Sequence, residues 1–116
     1  MGRLTTHVLD TAQGKPGAGI KIELYRLSAG RDLAASAVTN QDGRCPQPLL
    51  EGEAFGAGQY ELIFFAGAYF AAQGLKGAEP RFLDEIVIRF GVAAPGEHYH
   101  VPLLLSPFSY STYRGS

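Results

Sequence analysis

The sequence predicts an all-β fold, an antiparallel sandwich of two sheets, from three observations. Several short stretches alternate apolar and polar residues with the period of two that a half-buried strand requires. Turn formers punctuate these stretches at regular spacing, with 15 glycines and 7 prolines in 116 residues, and about seven or eight short strands so spaced suit a sandwich. Only residues 68–73 favour a helix; the stretch ends at Gly74 and is too short to stand alone.

The elements follow in order. Residues 4–10 form a first strand, with Thr5, His7 and Leu9 on one face and Leu4, Thr6 and Val8 on the other. From its position alone, His7 is a surface histidine. Residues 10–19 are glycine-rich, contain Pro16 and read as a loop. Residues 20–27 alternate cleanly, Ile20, Ile22 and Leu24 opposing Lys21, Glu23 and Tyr25. A weaker strand of small residues covers 33–39. The run Asn40-Gln41-Asp42-Gly43 is a strong turn signal, because Asp-Gly tolerates positive φ. Arg44 follows at once, where the next strand is expected to start, and Pro46 and Pro48 make that strand a short edge.

Residues 58–65 are apolar on both faces, which predicts a central strand. Tyr69 and Phe70 of the helical stretch are expected to dock on the sheets. Residues 82–92 form a long strand in which Ile86, Ile88 and Phe90 alternate with Val87 and Arg89. In the closing stretch His98 and His100 alternate with Tyr99 and Val101, so both imidazoles share one face. Ser106-Pro107 breaks this strand, and residues 109–112 return antiparallel, leaving 113–116 near the histidines.

Composition narrows the function classes. With 46% hydrophobic and 18% charged residues, the chain reads as one globular domain spanning 1–116. A net charge of −1 argues against nucleic acid, which requires a concentrated basic patch. No apolar run approaches the ~20 residues that cross a bilayer. Strand-like sequence from Leu4 onward leaves no room for a signal peptide. The single cysteine, Cys45, fits a reducing compartment, and the expected location is the cytoplasm.

Spacing alone offers limited chemistry. His98 and His100, with His7, have the residue types of a three-histidine zinc site, but many strands carry such pairs without metal and no acidic residue is obviously placed as a partner behind them. Cys45 has no motif around it and reads as structural. No nucleophile elbow or phosphate loop is present.

The two ends of the chain carry a family resemblance. His98-Tyr-His-Val-Pro-Leu-Leu104, Ser106-Pro-Phe-Ser-Tyr-Ser-Thr112 and the ending Tyr113-Arg-Gly-Ser116 resemble the C-terminal signature of the 5-hydroxyisourate hydrolases, the enzyme relatives of transthyretin. Leu4-Thr-Thr-His-Val-Leu-Asp10 and Gly14-Lys-Pro-Gly-Ala18 resemble the N-terminal end of that family, and Thr39-Asn-Gln-Asp-Gly-Arg44 and Gly67-Ala-Tyr-Phe70 its middle. The glycine- and charge-rich loop 74–81 departs from relatives that are more aromatic there.

This resemblance implies a transthyretin-type sandwich of two four-stranded sheets with one short helix. It also implies a homotetramer, a dimer of dimers, with sites in the channel where dimers meet. The family's catalytic set falls on His7, Arg44, His100 and Ser116, and the substrate-binding set on His7, Arg44, Tyr113 and Arg114, with no metal and no cofactor. The implied reaction opens a cyclic amide of 5-hydroxyisourate, a product of urate oxidation, giving 2-oxo-4-hydroxy-4-carboxy-5-ureidoimidazoline on the route to allantoin. In that scheme His7 and His100 activate water, Arg44 binds substrate and stabilises charge, Tyr113 walls the substrate and Ser116 adds hydrogen bonds. His98 is left as a rim residue, because it lies farther from Ser116 on its strand. The rival reading is a transthyretin-like carrier that binds a small ligand and catalyses nothing. His7, Arg44, His100 and the Tyr-Arg-Gly-Ser end favour the enzyme, because transthyretin has other residue types there.

Overall fold

The structure is a computed structural model describing residues 1–115. Two sheets pack face to face. The first contains β1 (Arg3–Asp10), β2 (Lys15–Pro16), β8 (His98–Leu105) and β9 (Tyr110–Thr112) in the order β2-β1-β8-β9, with β5 (Leu50–Glu51) also pairing with β1. The second contains β3 (Lys21–Leu27), β4 (Arg31–Val38), β6 (Gly58–Phe65) and β7 (Glu85–Val92) in the order β4-β3-β6-β7. One short helix, α1 (Ala66–Ala72), follows β6 directly. Among the described residues the observed architecture is therefore the two-sheet sandwich with a single short α-helix. The first sheet has five strands rather than four, the two-residue β5 being the addition to the path β2-β1-β8-β9.

Alternation sorts the side chains as expected. Leu4 and Val8 of β1 and Tyr99, Val101, Leu103 and Leu105 of β8 point inward to meet Ile22 and Leu24, Leu62 and Phe64, and Ile86 and Ile88 of the second sheet. Burying each such large apolar side chain contributes ~1.5–3 kcal/mol. β6 is central, with β3 and β7 on either side. Its outward Ile63 is buried too, and beside it Glu61 receives hydrogen bonds from Arg31 and Arg89. Arg89 above all, with Arg31, holds that carboxyl below the usual carboxylate range.

Several boundaries and one direction differ from the sequence reading. The helix starts at Ala66 rather than 68, and β7 begins at Glu85 rather than 82. No strand begins at Arg44: that residue makes a single isolated bridge to His7, and the edge strand is only Leu50–Glu51. Pro46 and Pro48 supply no amide donors, so pairing resumes only after both are passed. The centre of the first sheet is parallel rather than antiparallel, β1 running beside β8 from Arg3↔His98 to Asp10↔Leu105. The chain between them traverses the other sheet, so no hairpin imposes the antiparallel sense.

Asp10 fastens this centre to the helix. Its buried carboxylate accepts hydrogen bonds from the Tyr69 hydroxyl at 2.7 Å, from the Gln13 side chain and from the Ala12 and Gln13 amides. Burial alone pushes this carboxyl up, but the hydrogen bonds, led by Tyr69, outweigh it and leave it below its ordinary value.

Candidate active site

The parallel pairing has a direct consequence for the outward face. Arg3, Thr5, His7 and Leu9 of β1 lie in register with His98, His100, Pro102 and Leu104 of β8. Side chains of two adjacent strands thus form one polar array on the sheet's outer surface. A cavity of about 350 Å³ opens there, lined by Arg3, Thr5, Thr6, Arg44, Cys45, His98 and His100. Its lining has two guanidiniums, two imidazoles and no carboxylate.

Arg44 reaches this face because of a turn docked on β1. The Asn40 side-chain oxygen accepts from the Asp42 and Arg44 amides, and the Val8 amide donates to the Gly43 carbonyl at 2.8 Å. Gly43 has φ +74°, and a Cβ there would stand 2.4 Å from the Val8 carbonyl oxygen. Both the conformation and the close approach require glycine. His7 bridges to Arg44, and its Nε2 lies 2.9 Å from the Asp42 carbonyl oxygen. A carbonyl only accepts, so this nitrogen carries the proton and Nδ1 of neutral His7 is the free acceptor.

His98 Nε2 and His100 Nδ1 each lie 2.8 Å from the Thr5 hydroxyl. Burial chiefly, with Arg44, His98 and His7 adding repulsion, holds His100 below its ordinary pKa. The neutral imidazole is therefore favoured, with Nδ1 engaged by Thr5 and Nε2 left for a proton. Cys45 is half-buried, and burial pushes its thiol up to about 11, so it is not poised as a nucleophile.

The C-terminal residues divide. Gly115 bridges His100, its amide donating to the His100 carbonyl at 2.7 Å, and a Cβ on Gly115 would approach His100 Cδ2 to 2.8 Å. The chain end thus passes tightly against this imidazole. Arg114 instead lays its guanidinium 3.9 Å over the Tyr99 ring and donates to Glu97 at 2.8 Å. Tyr113, 63% exposed, lines a separate groove with Ile88, Phe90 and Tyr99. Ser116 lies outside the described residues. So the structure brings His7 beside Arg44 and His100, whereas Tyr113 and Arg114 do not line the cavity of Arg44 and His100 within one chain. Arg3 and Thr5 line it without having been assigned a role from sequence, although strand parity points both outward. Among the described residues no three His, Cys, Asp or Glu side chains form a metal-holding group.

A two-sheet sandwich with this outward array defines a class. The family model described as the HIUase/Transthyretin family matches residues 4–115, and the chain belongs to that family. The 5-hydroxyisourate hydrolase of Pseudomonas aeruginosa is 62% identical over 117 aligned positions, covering 100% of this chain and 93% of that protein. A solved structure of (S)-allantoin synthase superposes with a TM-score of 0.95 at 51% identity; it covers 99% of this chain, which spans only 44% of that longer protein. Sea bream transthyretin, solved in complex with thyroxine, superposes with a TM-score of 0.87 at 31% identity, covering 97% of this chain and 94% of that one.

Proposed function

We propose that this chain, as a single domain, hydrolyses 5-hydroxyisourate, opening a cyclic amide to give 2-oxo-4-hydroxy-4-carboxy-5-ureidoimidazoline in purine degradation. The observation that carries the reading is His100, an imidazole biased to its neutral form, opposite Arg44 in a cavity free of carboxylates. High identity to a 5-hydroxyisourate hydrolase supports the same substrate.

The chemistry follows from these groups. His100 Nε2 takes a proton from water as the oxygen attacks the ring carbonyl. Arg44 offers a planar fork of donors to the oxyanion that develops and to the polar edge of the ureide ring. His7, its Nε2–H committed to the Asp42 carbonyl, presents Nδ1 as an acceptor that orients water or a ring N–H. Arg3 adds positive charge suited to the carboxylate that ring opening creates. The scheme calls on no metal and no cofactor.

The site is completed in a homotetramer, a dimer of dimers, where Tyr113 closes the cavity, Arg114 holds the segment before Gly115 in place and Ser116 has the role of hydrogen-bonding substrate. Exposed Leu9, on the same outward face as the histidines, and exposed Phe108, in the turn that joins β8 to β9, support coverage by another copy. A free cysteine fits a reducing cytoplasm as the place of this activity.

The test is decay of freshly generated 5-hydroxyisourate, followed by ultraviolet absorbance in the presence of a chelator. Accelerated decay is expected. The uncatalysed rate, with thyroxine-like ligands binding instead, would leave the carrier reading in its place.

A further inference from the structure

The Thr5 hydroxyl sits 2.8 Å from His98 Nε2 and 2.8 Å from His100 Nδ1. One hydroxyl has a single proton, so it donates to one ring nitrogen and accepts from the other. We propose that Thr5 is a positioning residue and proton relay: His100 Nδ1–H donates to Thr5 Oγ1, whose own proton is donated to His98 Nε2. This rests on the hydrolase reading above and assigns a role within it to Thr5 and His98.

Two features fix the direction. Thr5 occupies Nδ1 of His100, so Nε2 is the nitrogen left to act on water, and it does so only in the tautomer with hydrogen on Nδ1. When Nε2 gains the water proton, the Nδ1–H bond breaks toward Thr5 Oγ1 and the Thr5 O–H bond breaks toward His98 Nε2. One proton has then moved from water to His98, and both His100 and Thr5 are neutral again. The reverse sequence returns a proton through His100 Nε2 to the leaving ring nitrogen.

The charges around the two imidazoles favour this transfer. His100 is partly buried and faces Arg44, His7 and His98, all of which resist an imidazolium there. His98 also borders a wider hollow lined by Arg3, Glu51 and Glu53, where carboxylates balance the guanidinium. The relay therefore carries positive charge off the crowded end of the array. The register that makes it possible is Thr5↔His100 in the parallel pair.

The test uses the full chain with three single variants, one double variant and one spectroscopic readout. Thr5→Val keeps the shape and removes the hydroxyl; Thr5→Ser keeps the hydroxyl. At matched thermal midpoints, Thr5→Val is expected to lower kcat at least ~10-fold with little change in KM, a fraction of a full general-base loss, and Thr5→Ser to recover most of it. His98→Asn should match Thr5→Val, and the double variant should be no slower than either, as members of one unit are not additive. Histidine ¹⁵N NMR of the resting protein, above the histidine titration range, should show hydrogen on Nδ1 of His100. Wild-type kcat in Thr5→Val, a Thr5→Ser as slow as Thr5→Val, or hydrogen on Nε2 of His100 overturns the relay. An inactive wild type would strike the hydrolase reading instead, and the NMR arm would still decide the tautomer.

Discussion

The two faces of the β1–β8 pair are built from the same sixteen residues in one register and do opposite work. Inward, Leu4, Thr6, Val8 and Asp10 meet Tyr99, Val101, Leu103 and Leu105, and every one is buried. The polar members are satisfied locally: the Thr6 hydroxyl donates to the Val101 carbonyl at 2.6 Å, and Asp10 is ringed by donors. Outward, Arg3, Thr5 and His7 meet His98 and His100, groups that are costly to bury and useful only in contact with solute. A period of two thus separates the core from the proposed site by a single residue step along the chain. Substitutions one position apart should fail in different assays.

That contrast can be broken most severely at the chain end. Removing residues 113–116 should abolish turnover while shifting the thermal midpoint by only a few degrees, since Tyr113 and Arg114 are exposed and Gly115 adds no apolar bulk. A large fall in midpoint would make the ending structural. On the inner face, Leu103→Ala should cost about 2–5 kcal/mol of stability, as a cavity in a fully buried site. Its folded fraction should retain kcat within a few-fold, which denaturant titration with parallel assays would check. On the outer face, Arg44→Lys keeps the charge and loses the planar fork; a rate at least ~100-fold lower with an unaltered midpoint is expected.

Two pH effects sharpen the same division. Because burial and neighbouring cations lower the pKa of His100, the acid limb of kcat/KM should fall below the ordinary histidine value of about 6.5. Arg44→Gln removes one of those cations and should move the residual limb upward; a downward move contradicts the assignment. The unfolded chain takes up the proton first, so this site also lowers stability as pH drops below the unfolded value. Asp10 behaves differently. Its carboxyl is lowered in the folded state, so its contribution is present above the ordinary carboxylate pKa and is lost as pH falls through the folded value. Thermal midpoints of Asp10→Ala should accordingly lie below wild type near neutrality and converge with it in acid.

Much of this was legible in the sequence because alternation is a local property. The parity of residues 3–10 and 98–105 places His7, His98 and His100 outward without any tertiary information. The turn Asn40–Gly43 was legible too, since Asp-Gly announces positive φ. What parity cannot supply is register between strands that are 95 residues apart for Thr5 and His100. The parallel sense, and with it the shared hydroxyl, follows from that register. Arg44 was visible as a candidate, but its approach to His7 depends on a turn docking on Val8 rather than on a strand. Arg114 shows the opposite limit. Its motif position suggested the cavity, yet an aromatic ring and Glu97 hold its guanidinium elsewhere.

The central claim is that the outward face of β1 and β8 is the catalytic one and that His100 is its base. The direct measurement is the initial rate of 5-hydroxyisourate decay for wild type and His100→Asn side by side, at equal folded concentration. Asparagine keeps polarity and loses the proton acceptor, so a rate at least ~100-fold lower is predicted, with the thermal midpoint unchanged. A His100→Asn protein that turns over at the wild-type rate would contradict it.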